Sequence, residues 1–292
     1  MIPRRSKPDP VPAIHPVWEY QADGALAETY GAYKSAFQVP WVGVVSMAYA
    51  HYPSFFAQWW RALEPVVAST DYVETCLALR SHIERAVAAL KPPPIEDRLR
   101  EIGYSDRELG DIRAMIEVFS HGNFAQLPAV VAAHLLLEGG AVSGGVAVEP
   151  HTGRHGPEGE VPFVLMEPHH AAGQTQAVYR DVMDRLGLPF VNTDYRALSR
   201  WPSYFELAWG DLKWVLKLPG YEAVTARMHE KMFKAAARLP NPTGLSALQL
   251  QEAAARDASV AEVIEVTRLF SYLLPGLVTN IAYLRAQFTD RS

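Results

Sequence analysis

A carboxylate set among residues that favour burial is the first candidate for chemistry in this chain. Asp194 lies in Val191-Asn192-Thr193-Asp194-Tyr195-Arg196, between the apolar run Leu188 to Val191 and the helix-like stretch Tyr204 to Trp209. An aspartate there either caps a helix or is held ready for acid–base chemistry. The same stretch occurs earlier in the chain without the carboxylate: Asp194 aligns with Val45, Thr193 with Val44 and Asn192 with Gly43. Asn123, in His121-Gly122-Asn123, shows the reverse pattern and aligns with Leu274. Taken alone, Asn123 suits a turn with a left-handed backbone, and Asp194 suits a cap. A carboxylate peculiar to one copy and an amide peculiar to the other together suggest one site between the halves.

The alignment behind these pairs is an internal repeat. At an offset of 149 residues, Tyr30 meets Tyr179, Pro40 meets Pro189, Val42 meets Val191 and Pro53 meets Pro202. Phe56 then meets Phe205, Trp60 meets Trp209, Tyr72 meets Tyr221 and Leu90 meets Leu239, all without a gap. After a slip of two residues, Phe119-Ser120 meets Phe270-Ser271. Apolar residues recur at helical spacing, as in Ile112, Met115, Ile116, Phe119 and in Val263, Val266, Leu269, Phe270. Ser105-x-x-Glu108 and Ser246-x-x-Gln249 read as helix starts, and Pro53 and Pro202 suit first helical turns. The pattern predicts an all-α fold of two tandem helical repeats of about 130 residues. The domains expected are an N-terminal arm (1–24), repeat 1 (25–138), a Gly/Pro-rich linker (139–161) and repeat 2 (162–292). The arm, with Arg4, Arg5, Lys7 and several prolines, reads as mobile.

Composition narrows the function. The 292 residues are 49% hydrophobic and 20% charged, as in a soluble globular protein. A net charge of −5 argues against a nucleic-acid partner, and no apolar run approaches the ~20 residues of a membrane span. A cytoplasmic protein is expected. Cys76 is alone, which excludes an intrachain disulfide and a CxxC site. The glycines of the linker follow neither GxGxxG nor a GKS/GKT ending, and no GxSxG elbow occurs. His151, His155, His169 and His170 lie in or beside the linker without HExxH spacing, so they read as surface histidines and no metal is expected.

These residues resemble the group I α-haloacid dehalogenases, which act on D- and L-2-haloacids. The resemblance covers most of the chain from about Tyr30 onward. It is carried by Val39-Pro40-Trp41-Val42, Gly122-Asn123, Thr193-Asp194-Tyr195-Arg196-Ala197-Leu198 and Trp201-Pro202. It implies a pseudo-dimer of the two repeats with the active site between them, and neither a metal nor an organic cofactor. Asp194 would be the base that activates water, Asn123 would hold that water, and Trp41, Val44 and Thr193 would line the pocket. The substrate would be a small 2-haloacid converted to a 2-hydroxyacid, its carboxylate met by backbone amides at a helix start. Thr193 replaces the family's serine and Val44 its phenylalanine, and His121 and Phe124 flank Asn123 unlike the family's neighbours. The alternative is a non-catalytic small-acid-binding relative on the same scaffold. Faces rich in Trp and Tyr hint at a homodimer.

Overall fold

The computed structural model describes residues 2–157 and 161–288. Met1 of the expected arm, residues 158–160 with Gly159 of the expected linker, and residues 289–292 of expected repeat 2 lie outside the described residues. The chain is all-helical among the described residues, apart from an isolated bridge between Ser69 and Pro150. Its first half carries α1 (Gly24–Phe37), α2 (Val44–Tyr49), α3 (Pro53–Val67), α4 (Thr70–Val87), α5 (Glu96–Glu101) and α6 (Asp106–Leu137). Its second half carries α7 (Gly173–Leu186), α8 (Thr193–Leu198), α9 (Pro202–Val215), α10 (Pro219–Ala236), α11 (Ala247–Ala255) and α12 (Val260–Ala286). The helices α7 to α10 each begin 149 residues after α1 to α4, the register in which the two halves of the sequence match. None of the helices is long and apolar enough to cross a membrane, among the described residues.

The local signals act as the sequence leads one to expect. The Ser105 amide donates to Glu108 Oε2 at 2.9 Å while the Glu108 amide donates to Ser105 Oγ at 3.3 Å, a reciprocal cap for α6. Ser246 and Gln249 do the same for α11. Pro53 and Pro202 each occupy the first turn of their helices, where a missing amide proton costs nothing. The two apolar stripes, Ile112 to Phe119 and Val263 to Phe270, are buried throughout.

The helices fall into two compact units. The first comprises Met1–Ser81, His121–Gly156 and Ala226–Leu277; the second comprises His82–Ser120, Pro157–Thr225 and Val278–Ser292. In the first, α3 packs against α1, α2 and α11, and the Tyr33, Phe37 and Trp60 rings meet edge-on or tilted with centroids 4.6 to 6.1 Å apart. The N-terminal segment is not free, contrary to its composition. The Arg5 guanidinium lies 4.3 Å over the Tyr272 ring and its Nε donates to the Tyr272 carbonyl, while the Val17 amide donates to Met47 O. A cation over an aromatic face and two backbone ties offset the entropy that a proline-rich arm would otherwise keep. In the second unit α9 packs against α7 and α8, with Tyr195 set between the Phe205 and Trp209 rings.

Between α6 and α7 the chain runs from residue 138 to 172 without a helix among the described residues. Part of it is seated on the first unit: the Ser143 amide donates to Ala237 O at 2.8 Å and the Gly144 amide to Leu239 O at 3.1 Å. A side chain at Gly144 would collide with that carbonyl, since a Cβ there would lie 2.2 Å from Leu239 O.

One glycine fixes the approach of the Val-Pro-Trp segment to α6. A Cβ at Gly122 would lie 2.3 Å from the edge of the Trp41 indole, which is buried and closely packed. Gly122→Ala is therefore expected to destabilise the protein by about 1–3 kcal/mol through overpacking. Urea denaturation measures this, and an unchanged midpoint would mean that the indole moves aside without cost.

Candidate active site

Asp194 sits on α8, a helix of six residues from Thr193 to Leu198. The N-cap of α8 is Asn192, and Asp194 lies inside the first turn. The capping role is thus not Asp194's. The carboxylate-bearing residue is only 3% exposed, in company with Thr193, Tyr195 and Arg196, all buried. A carboxylate withdrawn from water is costly unless other groups interact with it, and Asp194 has such interactions.

The rest of α8 is tied down on more than one side. Arg196 Nη1 donates to both carboxylate oxygens of Glu167 at 2.8 Å, and Arg196 Nη2 donates to Thr193 Oγ1 at 3.3 Å. The Met166 amide donates to the Arg196 carbonyl at 2.9 Å, and the Tyr179 hydroxyl donates to Met166 O at 2.7 Å. Tyr195 Oη accepts from Asn280 Nδ2 at 2.8 Å, and Asn280 Oδ1 accepts from the Tyr221 hydroxyl at 2.8 Å. Burial, foremost, holds the Tyr195 phenol well above the usual tyrosine range; the Asn280 hydrogen bond lowers it, and the neighbouring Tyr221 and then Asp194 raise it further, so it stays protonated. Among the described residues, the Asn192 Oδ1 and Arg196 Nε atoms are buried without a hydrogen-bond partner.

Thr193 and Asp194 belong to the second unit; Trp41, Val44 and Asn123 belong to the first. Asn123 lies within the unbroken α6 and is 6% exposed, so it occupies no turn. Trp41 rests on the Gly122 backbone next to it. Val44 opens α2 and is half-buried. One turn beyond Asn123, Gln126 packs its amide on Gly43, where a Cβ would lie 1.7 Å from its Oε1. In the same unit an apolar pocket is lined by residues that include Trp59, Leu63, Val66, Leu136 and Leu239. It has no ionisable lining residue and includes none of the candidate residues.

Glu167 and Asn280 hold the candidate carboxylate's helix through Arg196 and Tyr195 in ways the sequence did not announce. Asn280 had a usable signal, being an amide inside the apolar run Leu277-Val278-Thr279-Asn280-Ile281-Ala282. Glu167 had none, because it lies in an aperiodic stretch. Cys76 is half-buried, and burial pushes its thiol pKa up, which leaves it inert at neutral pH. Among the described residues no group of three or more His, Cys, Asp or Glu is arranged to hold a metal ion.

The histidines divide. His169 and His170 are exposed, as expected. His151 and His155 are half-buried instead: the His155 ring lies 5.4 Å from that of His121 and 5.6 Å from that of His151, and the His155 amide donates to Gln38 Oε1. Burial, then the neighbouring His121 and His151, pushes the His155 pKa down to about 4. His229 is likewise pushed down to about 4 by burial, then by Arg5 and His134. Both take up a proton near pH ~6.5 in the unfolded chain. Unfolding therefore binds protons between that pH and about 4, and stability present above the window is lost as pH falls through it. The melting temperature should drop across this window, and less steeply in His155→Gln. An identical profile in the variant would mean that His155 contributes nothing to the acid sensitivity.

No family model matches the chain. A protein of Rhizobium sp. (strain NHG3) named (R)-2-haloacid dehalogenase is 42% identical over 245 residues, covering 82% of this chain and 94% of its own length. A Pseudomonas putida protein of the same name is 38% identical over 282 residues, covering 94% of this chain and 92% of the relative. A configuration-inverting 2-haloacid dehalogenase of Pseudomonas sp. (strain 113) is 29% identical, covering 72% of this chain and 70% of the relative. Among solved structures, a D-2-haloacid dehalogenase mutant in complex with D-2-CPA superposes with a TM-score of 0.86 at 34% identity, covering 98% of this chain and 99% of its own. With relatives of this similarity along most of its length, the chain belongs to the 2-haloacid dehalogenases, hydrolases that act on carbon–halide bonds.

Proposed function

We infer that this enzyme converts 2-haloalkanoic acids to 2-hydroxyacids by direct attack of water, with Asp194 as the general base. The observation that carries the reading is a nearly inaccessible aspartate in the first turn of α8, a helix whose N-cap is Asn192. In the step proposed, Asp194 takes a proton from water as the water oxygen bonds to the α-carbon. The halide departs from the opposite side with the pair of electrons of the C–X bond. Asn123, from the other half of the sequence, both donates to and accepts from that water and so fixes its lone pair. Trp41, Val44 and Thr193 line the pocket and exclude bulk solvent around the reacting centre. A single displacement inverts configuration, in keeping with the word used for the Pseudomonas sp. relative.

The enantiomer is read from the relatives. Two of them, at 42% and 38% identity, are named for (R)-2-haloacids, which favours (R)-substrates and (S)-2-hydroxyacid products. Turnover of both D- and L-acids is the second reading, favoured by the resemblance to the group I enzymes and by a relative named for no enantiomer. The names of the relatives weigh against a protein that only binds small acids. The reading also takes the chain as two tandem repeats packed as a pseudo-dimer, which the 149-residue register of helix starts supports. A cytoplasmic location and a homodimer remain part of this proposal.

Three measurements test it. Asp194→Asn, close in shape, should lower halide release by roughly 10²–10⁴-fold while the melting temperature stays near that of the parent; a folded variant of near-full activity would contradict the assignment. On a panel of D- and L-2-haloacids, halide from the (R)-acids alone supports the first reading, and equal release from both supports the second. Val44→Phe should move preference toward shorter acids, by about 1–3 kcal/mol per misfitted methylene. An unchanged chain-length profile would remove Val44 from the pocket.

A further inference from the structure

We propose that Asn280 and Tyr221 are positioning residues for Asp194, acting through Tyr195; the proposal rests on the reading of Asp194 as the base. The three side chains form one buried chain of hydrogen bonds in the second unit, Tyr221 Oη to Asn280 Oδ1 and Asn280 Nδ2 to Tyr195 Oη, each 2.8 Å long. An amide in the middle of an apolar helical run is costly unless its polar atoms are used. Here both ends of the amide are spent on tyrosine hydroxyls.

The corresponding positions in the first half differ. Tyr72, in register with Tyr221, also reaches a long helix: its hydroxyl donates to Ala125 O at 2.7 Å and accepts from the Ala129 amide at 3.2 Å. Ala129 is in register with Asn280, so there the contact ends on the helix backbone. Ser46, in register with Tyr195, lies beside Tyr33 without reaching hydrogen-bond geometry. Val45 stands in the place of Asp194. The side-chain relay is thus found in the half that carries the carboxylate and is missing from the half that does not.

The mechanics follow from the size of α8. Six residues are too few for a helix to hold itself against fraying, so its orientation comes from tertiary ties. Successive residues point about 100° apart around a helix, which puts Tyr195 on one flank of Asp194 and Thr193 on the other. The Thr193 flank is fixed by Arg196 and Glu167; the Tyr195 flank is fixed by the relay. Without the relay α8 can roll. A roll of about 20° would carry a carboxylate some 5 Å from the helix axis by about 2 Å, and a misplacement of about 1 Å can cost on the order of 10²-fold in rate.

The test is steady-state halide release from racemic 2-chloropropionate by Tyr195→Phe, by Asn280→Leu and by the double variant, each checked for native near-UV circular dichroism. Each single change should lower kcat about 10- to 100-fold with KM within about threefold. The double variant should be no slower than the worse single, because both break the same bond. A native-like Tyr195→Phe with parental kcat overturns the proposal, as does multiplication of the two losses in the double variant. Tyr195→Phe removes one hydroxyl and no carbon, so it decides the matter even if Asn280→Leu does not fold. Asp194→Asn separates the layers: if it is inactive while Tyr195→Phe is fully active, the base stands and the positioning role falls. If it is active, the base itself is wrong.

Discussion

Keeping a carboxylate out of water on a helix of six residues is the constraint on which the rest of this structure turns. Transfer of an ionised group into a protein interior costs several kcal/mol unless neighbours compensate, and a helix this short has no stability of its own. Asp194 has interacting neighbours, and the surroundings of α8 meet the second demand. Arg196 is clamped to Glu167, its backbone carbonyl is bound by the Met166 amide, and Tyr195 is held through Asn280. The aromatic rings of Phe205 and Trp209 fill the space beside Tyr195.

The first unit shows a different use of close packing. Gly122 and Gly43 are both overlain by side chains, Trp41 on one and Gln126 on the other, at distances no side chain of their own would permit. These contacts bring the Val-Pro-Trp segment and the segment at Gly43 close against the turns of α6 around Asn123. An asparagine held within an unbroken, buried helix has a defined direction.

The helices were largely readable from the sequence because their signals are local. The Ser105 and Ser246 caps, the helix-opening prolines and the 3.6-residue stripes each act over a few residues, and each acts as expected. Asp194 and Asn123 stood out because they break the match between the two halves. What was hidden depends on residues distant in sequence. Glu167 lies 29 residues from Arg196, and Asn280 lies 85 from Tyr195. No spacing rule joins such pairs. The division into two units that interleave the halves of the sequence is hidden for the same reason. Composition misled at the N-terminus, where a few ties from Arg5 and Val17 outweigh the disorder that proline and charge suggest, and again at His151 and His155, which are half-buried rather than on the surface.

Whether water attacks the substrate carbon directly, or Asp194 does so and forms an ester, is settled by following oxygen. A carboxylate nucleophile would give its own oxygen to product and recover one from water when the ester is hydrolysed. In a single turnover in ¹⁸O-labelled water, with enzyme in excess over 2-chloropropionate, direct attack by water predicts label in the hydroxyacid and none in the protein. Unlabelled hydroxyacid together with label in the Asp194 carboxylate would contradict it.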